Sequence, residues 1–106
     1  MSQTITQPDN TRIVLDKTPD YRDSYANSVQ VRLSVWDFRL IFGTLEQTAA
    51  DQVNIENFQG IYLSPQQAKA LQSILGQNIA QYEQNFGEIS LDPPAVPRPA
   101  NTANFN

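Results

Sequence analysis

SPQQAKALQSILGQNIAQYEQNFG, residues Ser64 to Gly87, is the stretch on which the reading of the fold turns. Ser64 offers a hydroxyl to the free amides of a first helical turn, and Pro65 stands where its missing N–H costs nothing. Gln67 completes a capping-box pattern, and Gly87 is placed to close the helix in a left-handed conformation. Between these ends Ala68, Leu71, Leu75, Ile79, Tyr82 and Phe86 recur at helical spacing. At 100° per residue they form one stripe roughly 80° wide. Gln66, Lys69, Ser73, Gln77, Gln81 and Gln84 fall on the far side, while Ile74 and Asn78 widen the stripe along one edge only. Gly76 costs about 1 kcal/mol against alanine at a helix interior; either it is tolerated, the favoured reading, or another backbone approaches there.

Working outward, the segment before the helix alternates as strands do. Val29, Val31 and Leu33 oppose Gln30, Arg32 and Ser34; the phase then flips, and Trp36, Phe38, Leu40 and Phe42 become the apolar set. A flip inside one strand would turn half its hydrophobic residues to water, so a turn or bulge is expected around Ser34–Asp37. This gives a strand over 27–33, a strand over 37–43 ending at Gly43, and a polar loop from Thr44 to Asp51. A third strand covers Gln52 to Leu63, with Val53, Ile55, Ile61 and Leu63 in phase and a bend or bulge in its polar middle. The expected fold class is α+β: an antiparallel three-stranded sheet, order β-β-β-α, with one long C-terminal helix packed on one face.

Flexible tails are expected at both ends. Residues 1–24 are polar and broken by Pro8 and Pro19, and read as a flexible N-terminal arm; the cluster Ile13-Val14-Leu15 alternatively supplies an added edge strand or a docking segment. Residues 25–91 form the folded domain. Residues 92–106 hold Pro93, Pro94, Pro97 and Pro99 and an Asn-rich end, a composition that favours extended chain. The PxxP spacing of Pro94 and Pro97 is a weak ligand signal beside that plain reading.

Composition narrows the function classes. With 106 residues there is room for one domain. A net charge of −4 and an isoelectric point near 4.5 argue against a dedicated nucleic-acid or anionic-membrane surface. The absence of cysteine and histidine removes disulfides, thiolate chemistry, the usual general base and the commonest transition-metal ligand, so no cofactor and no metal are expected. No stretch approaches the ~20 apolar residues of a membrane span, and MSQTITQPDN does not read as a signal peptide, so a cytoplasmic location is the default expectation.

Four motifs carry a family resemblance: Tyr25 with Asn27, S-x-W-D-F-x-L-x-F-G from Ser34 to Gly43, S-P-Q-x-A-K from Ser64 to Lys69, and Y-E-x-x-F-G-E-I from Tyr82 to Ile89. Together they resemble the small bacterial proteins catalogued as domain of unknown function 3467. That resemblance implies no activity. More loosely, a sheet followed by a helix that pairs with a second copy is similar in outline to the export chaperone SecB, an analogy of fold alone.

The carboxylates Asp37, Glu56, Glu83 and Glu88 are among the available acid–base groups, but nothing in the sequence makes two of them converge. Asp37 is expected to hold backbone amides at the hairpin, and Lys69 to be solvated. Arg32 and Arg39 are expected to share a solvent face. A folded part of about 65 residues rarely gains more than about 3–5 kcal/mol from its core, and one helix roughly 10 Å across leaves part of a three-stranded face open. The protein is therefore expected to be a homo-oligomer, dimer or higher, with Trp36, Ile74 and Asn78 as interface residues. The function expected is a non-enzymatic protein-interaction or accessory subunit that binds another protein, with a SecB-like holder of unfolded segments as the alternative.

Overall fold

The alternation of apolar residues on either side of Ser34 becomes a hairpin in the computed structural model, which describes residues 3–91. The strands are β1 (Gln3–Thr6), β2 (Arg12–Leu15), β3 (Ser28–Leu33), β4 (Phe38–Ala49) and β5 (Gln52–Leu63), followed by the helix α1 (Pro65–Phe86). β3, β4 and β5 form an antiparallel sheet in that order. The fold class is thus the expected α+β arrangement of an antiparallel sheet and one C-terminal helix.

Register explains the phase flip. Val29 pairs with Phe42, Val31 with Leu40 and Leu33 with Phe38. On the other side of β4, Phe38 meets Leu63, Leu40 meets Ile61 and Phe42 meets Gln59. Residues directly opposite in a sheet share a face, so eight apolar side chains occupy three rows of one face with only Gln59 among them. The opposite face carries Gln30, Ile41 and Gly60, then Arg32, Arg39 and Tyr62, with the Arg39 guanidinium 5.8 Å from the Tyr62 ring centre. Arg32 and Arg39, an opposed pair, do share an exposed face.

Three departures from the sequence reading have local causes. First, Thr44 to Ala49 is strand, not loop: β4 runs six residues past Gly43, and only Ala50 and Asp51 turn the chain. Neither turn residue has a positive φ. The mirror-image turns that suit hairpins are therefore not used, and the register shift between Gln47 and Ala49 accommodates the mismatch. Second, the bulge expected in the middle of β5 falls at Phe58, where the register steps from Phe42–Gln59 to Gly43–Asn57, and it overturns the common phase read for the strand. One extra residue reverses the alternation, so Val53 and Ile55 face the side opposite to Ile61 and Leu63 despite their even spacing. Gly43 is required there: a Cβ would lie 2.5 Å from Asn57 Oδ1 and 2.7 Å from the Glu56 carbonyl oxygen.

Third, the segment read as a flexible arm contains a hairpin. β1 and β2 pair antiparallel, Ile5 opposite Ile13 and Gln3 opposite Leu15. Pro8 and Asp9 form its turn, Asn10 N–H donating to the Gln7 carbonyl at 2.9 Å, and Asn10 takes φ 71°, a left-handed conformation that asparagine tolerates. Asp9 Oδ1 accepts from the Thr11 amide at 3.0 Å, a bond that holds its carboxyl below the ordinary value. The Pro-rich segment and its PxxP spacing lie outside the described residues.

α1 starts as its sequence dictates. Ser64 Oγ accepts from Gln67 N–H at 3.1 Å, with Pro65 at the first helical position. It ends differently in detail: Gly87 adopts φ 102°, ψ 169°, open to glycine but not the left-handed helical conformation expected. Gly87 N–H donates to the Glu83 carbonyl, and the Glu83 carboxylate accepts from Ile89 N–H at 2.9 Å. The expected seating of the helix on a face of its own sheet is limited to its first turns. Ala68 and Leu71 are half-buried, whereas Leu75, Ile79, Tyr82 and Phe86 are exposed and no residue of α1 is buried.

Candidate functional site

The surfaces left open by this packing are the candidate site. Among the described hydrophobic residues Ile41 alone is buried, at 7% exposure. The apolar face of the sheet remains accessible, from Leu33 at 72% to the half-buried central residues Phe38, Leu40 and Phe42. The α1 stripe is open from Leu75 to Phe86, the last of these 75% exposed. Tyr82 and Phe86 meet at a tilt with ring centres 5.0 Å apart, so the far end of the helix presents a joined aromatic pair.

The hairpin tip between β3 and β4 is a second open surface. Ser34 organises it: its Oγ accepts from the amides of Trp36 (3.0 Å) and Asp37 (3.2 Å), and its own N–H donates to the Asp37 carbonyl. The sequence reading gave the amide-holding role to Asp37; the shorter serine side chain takes it, and the Asp37 carboxylate accepts from the Ser34 hydroxyl at 3.2 Å. With the turn closed by Ser34, Val35 and Trp36 point outward, Trp36 82% exposed.

The three residues read as interface positions are placed on two separate surfaces. Ile74 is exposed beside the stripe, and Asn78, one turn on, spends its amide on the helix itself, Nδ2 donating to the Ile74 carbonyl at 2.8 Å. Trp36 sits at the hairpin tip. Because Phe38 pairs with Leu63, that tip lies at the end of the sheet where α1 begins, about 13 Å of helical rise from Ile74.

Acidic residues do not gather around these surfaces. Glu46 and Glu56 line a shallow hollow of about 190 Å³ with Thr44, Leu45 and Asn54, where Thr44 pairs with Glu56 and Glu46 with Asn54. Asp37 and Glu83 are engaged in the hairpin and the helix end, remote from that hollow. Among the described residues no group of three or more carboxylates is placed to hold a metal ion. Ser28 Oγ is buried opposite Gly43 without a hydrogen-bond partner, a placement that costs about 1–3 kcal/mol where nothing meets it.

Asn27, quoted above only as a motif residue, has a structural role that the sequence does not display. Asn27 N–H donates to the Gly43 carbonyl, and its side-chain amide imitates one more strand residue: Oδ1 accepts from Leu45 N–H at 2.6 Å and Nδ2 donates to the Leu45 carbonyl at 3.2 Å. The edge of β4 beyond β3 is thereby partly satisfied. Each of the four motifs quoted from the sequence now has a physical role. Asn27 extends the sheet, Ser34 closes the tip and Gly43 admits the bulge; Ser64 starts the helix and Glu83 with Gly87 ends it.

These features define a class: a small antiparallel sheet with a long C-terminal helix whose apolar surface lies mostly outside its own core. The chain belongs to the family described as protein of unknown function (DUF3467), whose model matches residues 1–91. The match includes the β1–β2 hairpin as well as the sheet and helix. No curated protein and no solved structure matches the chain. No helix among the described residues is long and apolar enough to cross a membrane.

Proposed function

We propose that this protein is a non-enzymatic, cytoplasmic bacterial subunit that works as a homo-oligomer and binds another protein. The observation that supports this reading is the near absence of a core within one chain, with Ile41 the one buried hydrophobic residue among the described residues. A chain that leaves its sheet face and helix stripe in water lacks the burial needed to offset its conformational entropy. Association with protein surface supplies that burial, and the motif residues support the reading because they hold the backbone. Sedimentation at low micromolar concentration should show a dimer or larger species, and the thermal midpoint should rise with protein concentration. A monomer with a concentration-independent midpoint defeats the proposal. Affinity capture of the tagged native protein from its source cell should return one stoichiometric partner.

The exposed apolar side chains of sheet and helix also favour a second reading, a SecB-like holder of unfolded segments. That reading expects capture of many unrelated unfolded chains and suppression of aggregation of a denatured model protein at near-stoichiometric ratios.

A further inference from the structure

The junction between β5 and α1 is a single residue, Ser64. A helix 10–12 Å across, laid over a sheet, must lift its axis by several ångströms from the strands. One residue reaches at most about 3.6 Å, so α1 leaves the end of β5 without a loop to carry it back over its own sheet. The exposures agree with that: Ala68 and Leu71 are half-buried, while Leu75, Ile79 and Tyr82 are all 44–50% exposed and Phe86 75%.

The stripe itself shows what kind of surface it fits. Its spacings from Ala68 to Phe86 are 3, 4, 4, 3 and 4, the sequence of steps that follows a straight helix at 3.6 residues per turn. A seam for a long supercoiled partner would hold to a 3.5 repeat. A straight stripe about 27 Å long suits a sheet. The apolar face of β3-β4-β5 runs in three rows, Leu33, Phe38, Leu63; Val31, Leu40, Ile61; and Val29, Phe42, with Val29, Leu33 and Ile61 exposed and the others half-buried. Neither the stripe nor these rows contains a charged residue. Leu33 at 72%, Phe86 at 75% and Val29, Ile61, Leu75, Ile79 and Tyr82 at 38–50% exposure are the apolar side chains available toward the roughly 800 Å² that each partner gives to a standard stable interface.

We infer that two copies pair about a two-fold axis, the α1 stripe of each seated on the apolar sheet face of the other. This deepens the homo-oligomer reading above and rests on it. The arrangement covers both open surfaces at once and closes, as an isologous interface must.

The protein has no cysteine, so introduced thiols report cleanly. Full-length chain carrying Leu40→Cys and full-length chain carrying Ile79→Cys are each purified, mixed, allowed to exchange and treated with a short bis-maleimide. The inference expects a cross-linked dimer in the mixture at several times the yield of either variant alone. Cross-linking of Ile79→Cys to itself as the dominant product would show helix against helix and overturn the inference while leaving the homo-oligomer intact. Absence of any dimer for wild type by sedimentation overturns both. As a second measurement, Leu75→Glu with Ile79→Glu should weaken self-association at least 100-fold, with helical circular dichroism at low temperature showing whether the capped helix persists. An unchanged association constant contradicts the proposed seating whatever the cross-linking gives.

Discussion

The β4–β5 hairpin and the helix α1 adjoin through one serine and are closed in opposite senses. The hairpin is closed by chain against chain: paired strands, a bulge fitted around Gly43 and an asparagine standing in for a strand residue. The helix is closed only along its own backbone, its caps complete and its stripe uncovered after Leu71. Hydrogen bonding is therefore satisfied in both regions, whereas burial is satisfied in neither to the depth a small domain needs. The difference separates what fixes an element's shape from what makes it stable, and two glycines allow the two to be tested apart.

Gly43 is the position where the largest loss is expected. A methyl group there would meet Asn57 and the Glu56 carbonyl at distances that real Cβ atoms do not show. Opening the bulge to admit it should destabilise Gly43→Ala by about 1–3 kcal/mol, the usual range for overpacking a tight site. Urea unfolding measures this, and an unchanged midpoint would mean that the bulge is slack. Asn27→Ala comes next, at about 1–2 kcal/mol, since it removes two hydrogen bonds and leaves Leu45 N–H and carbonyl to solvent. Faster exchange of the Leu45 amide, with the amides of α1 unaffected, would show that the loss is confined to the sheet.

At Gly76 the sign reverses. Its Cβ would meet nothing within 4 Å, so Gly76→Ala should stabilise the helix by about 1 kcal/mol and raise the thermal midpoint. If assembly is lost instead, a second backbone approaches α1 at that point, and the choice between tolerance and close contact is settled for contact. The pair of substitutions thus asks whether each glycine serves the chain's own packing or merely interrupts a good helix.

Much of this was legible because it is local. Ser64, Pro65 and the stripe announce a helix through neighbours within one or two turns, and the phase flip at Ser34 announces a hairpin through alternation alone. What escaped needed knowledge of a residue's partner. Thr44–Ala49 looks polar because one face of that hairpin arm carries Thr44 and Glu46, and its strand character depends on pairing with β5. Val53 and Ile55 seem in phase with Ile61 until the bulge at Phe58 reverses them. The β1–β2 hairpin does leave a signal, Pro8-Asp9-Asn10 between Ile5 and Ile13, which is good turn chemistry as well as a break in the chain. Of the candidate site, the widening of the stripe at Ile74 was readable, but the depth to which the chain leaves itself uncovered was not. Periodicity states which face is apolar; the length of the β5–α1 junction decides whether the chain can cover it.

The smallest effect tests locality at the other end of the molecule. Asp9 accepts from the Thr11 amide, and that bond keeps its carboxyl below the ordinary 3.8. A group whose folded pKa is depressed contributes stability that is fully present above the unfolded pKa and is lost as pH falls through the folded one. The β1–β2 turn should therefore loosen only below pH about 4, with the Thr11 amide resonance moving along a single titration and Asp9→Asn abolishing it. If hairpins here are held by their own turns, the amides of β4 and β5 stay silent through that step. Their moving together with Thr11 would instead show that the N-terminal hairpin is packed against the sheet in solution, and the contrast between locally and mutually closed regions would have to be redrawn to include it.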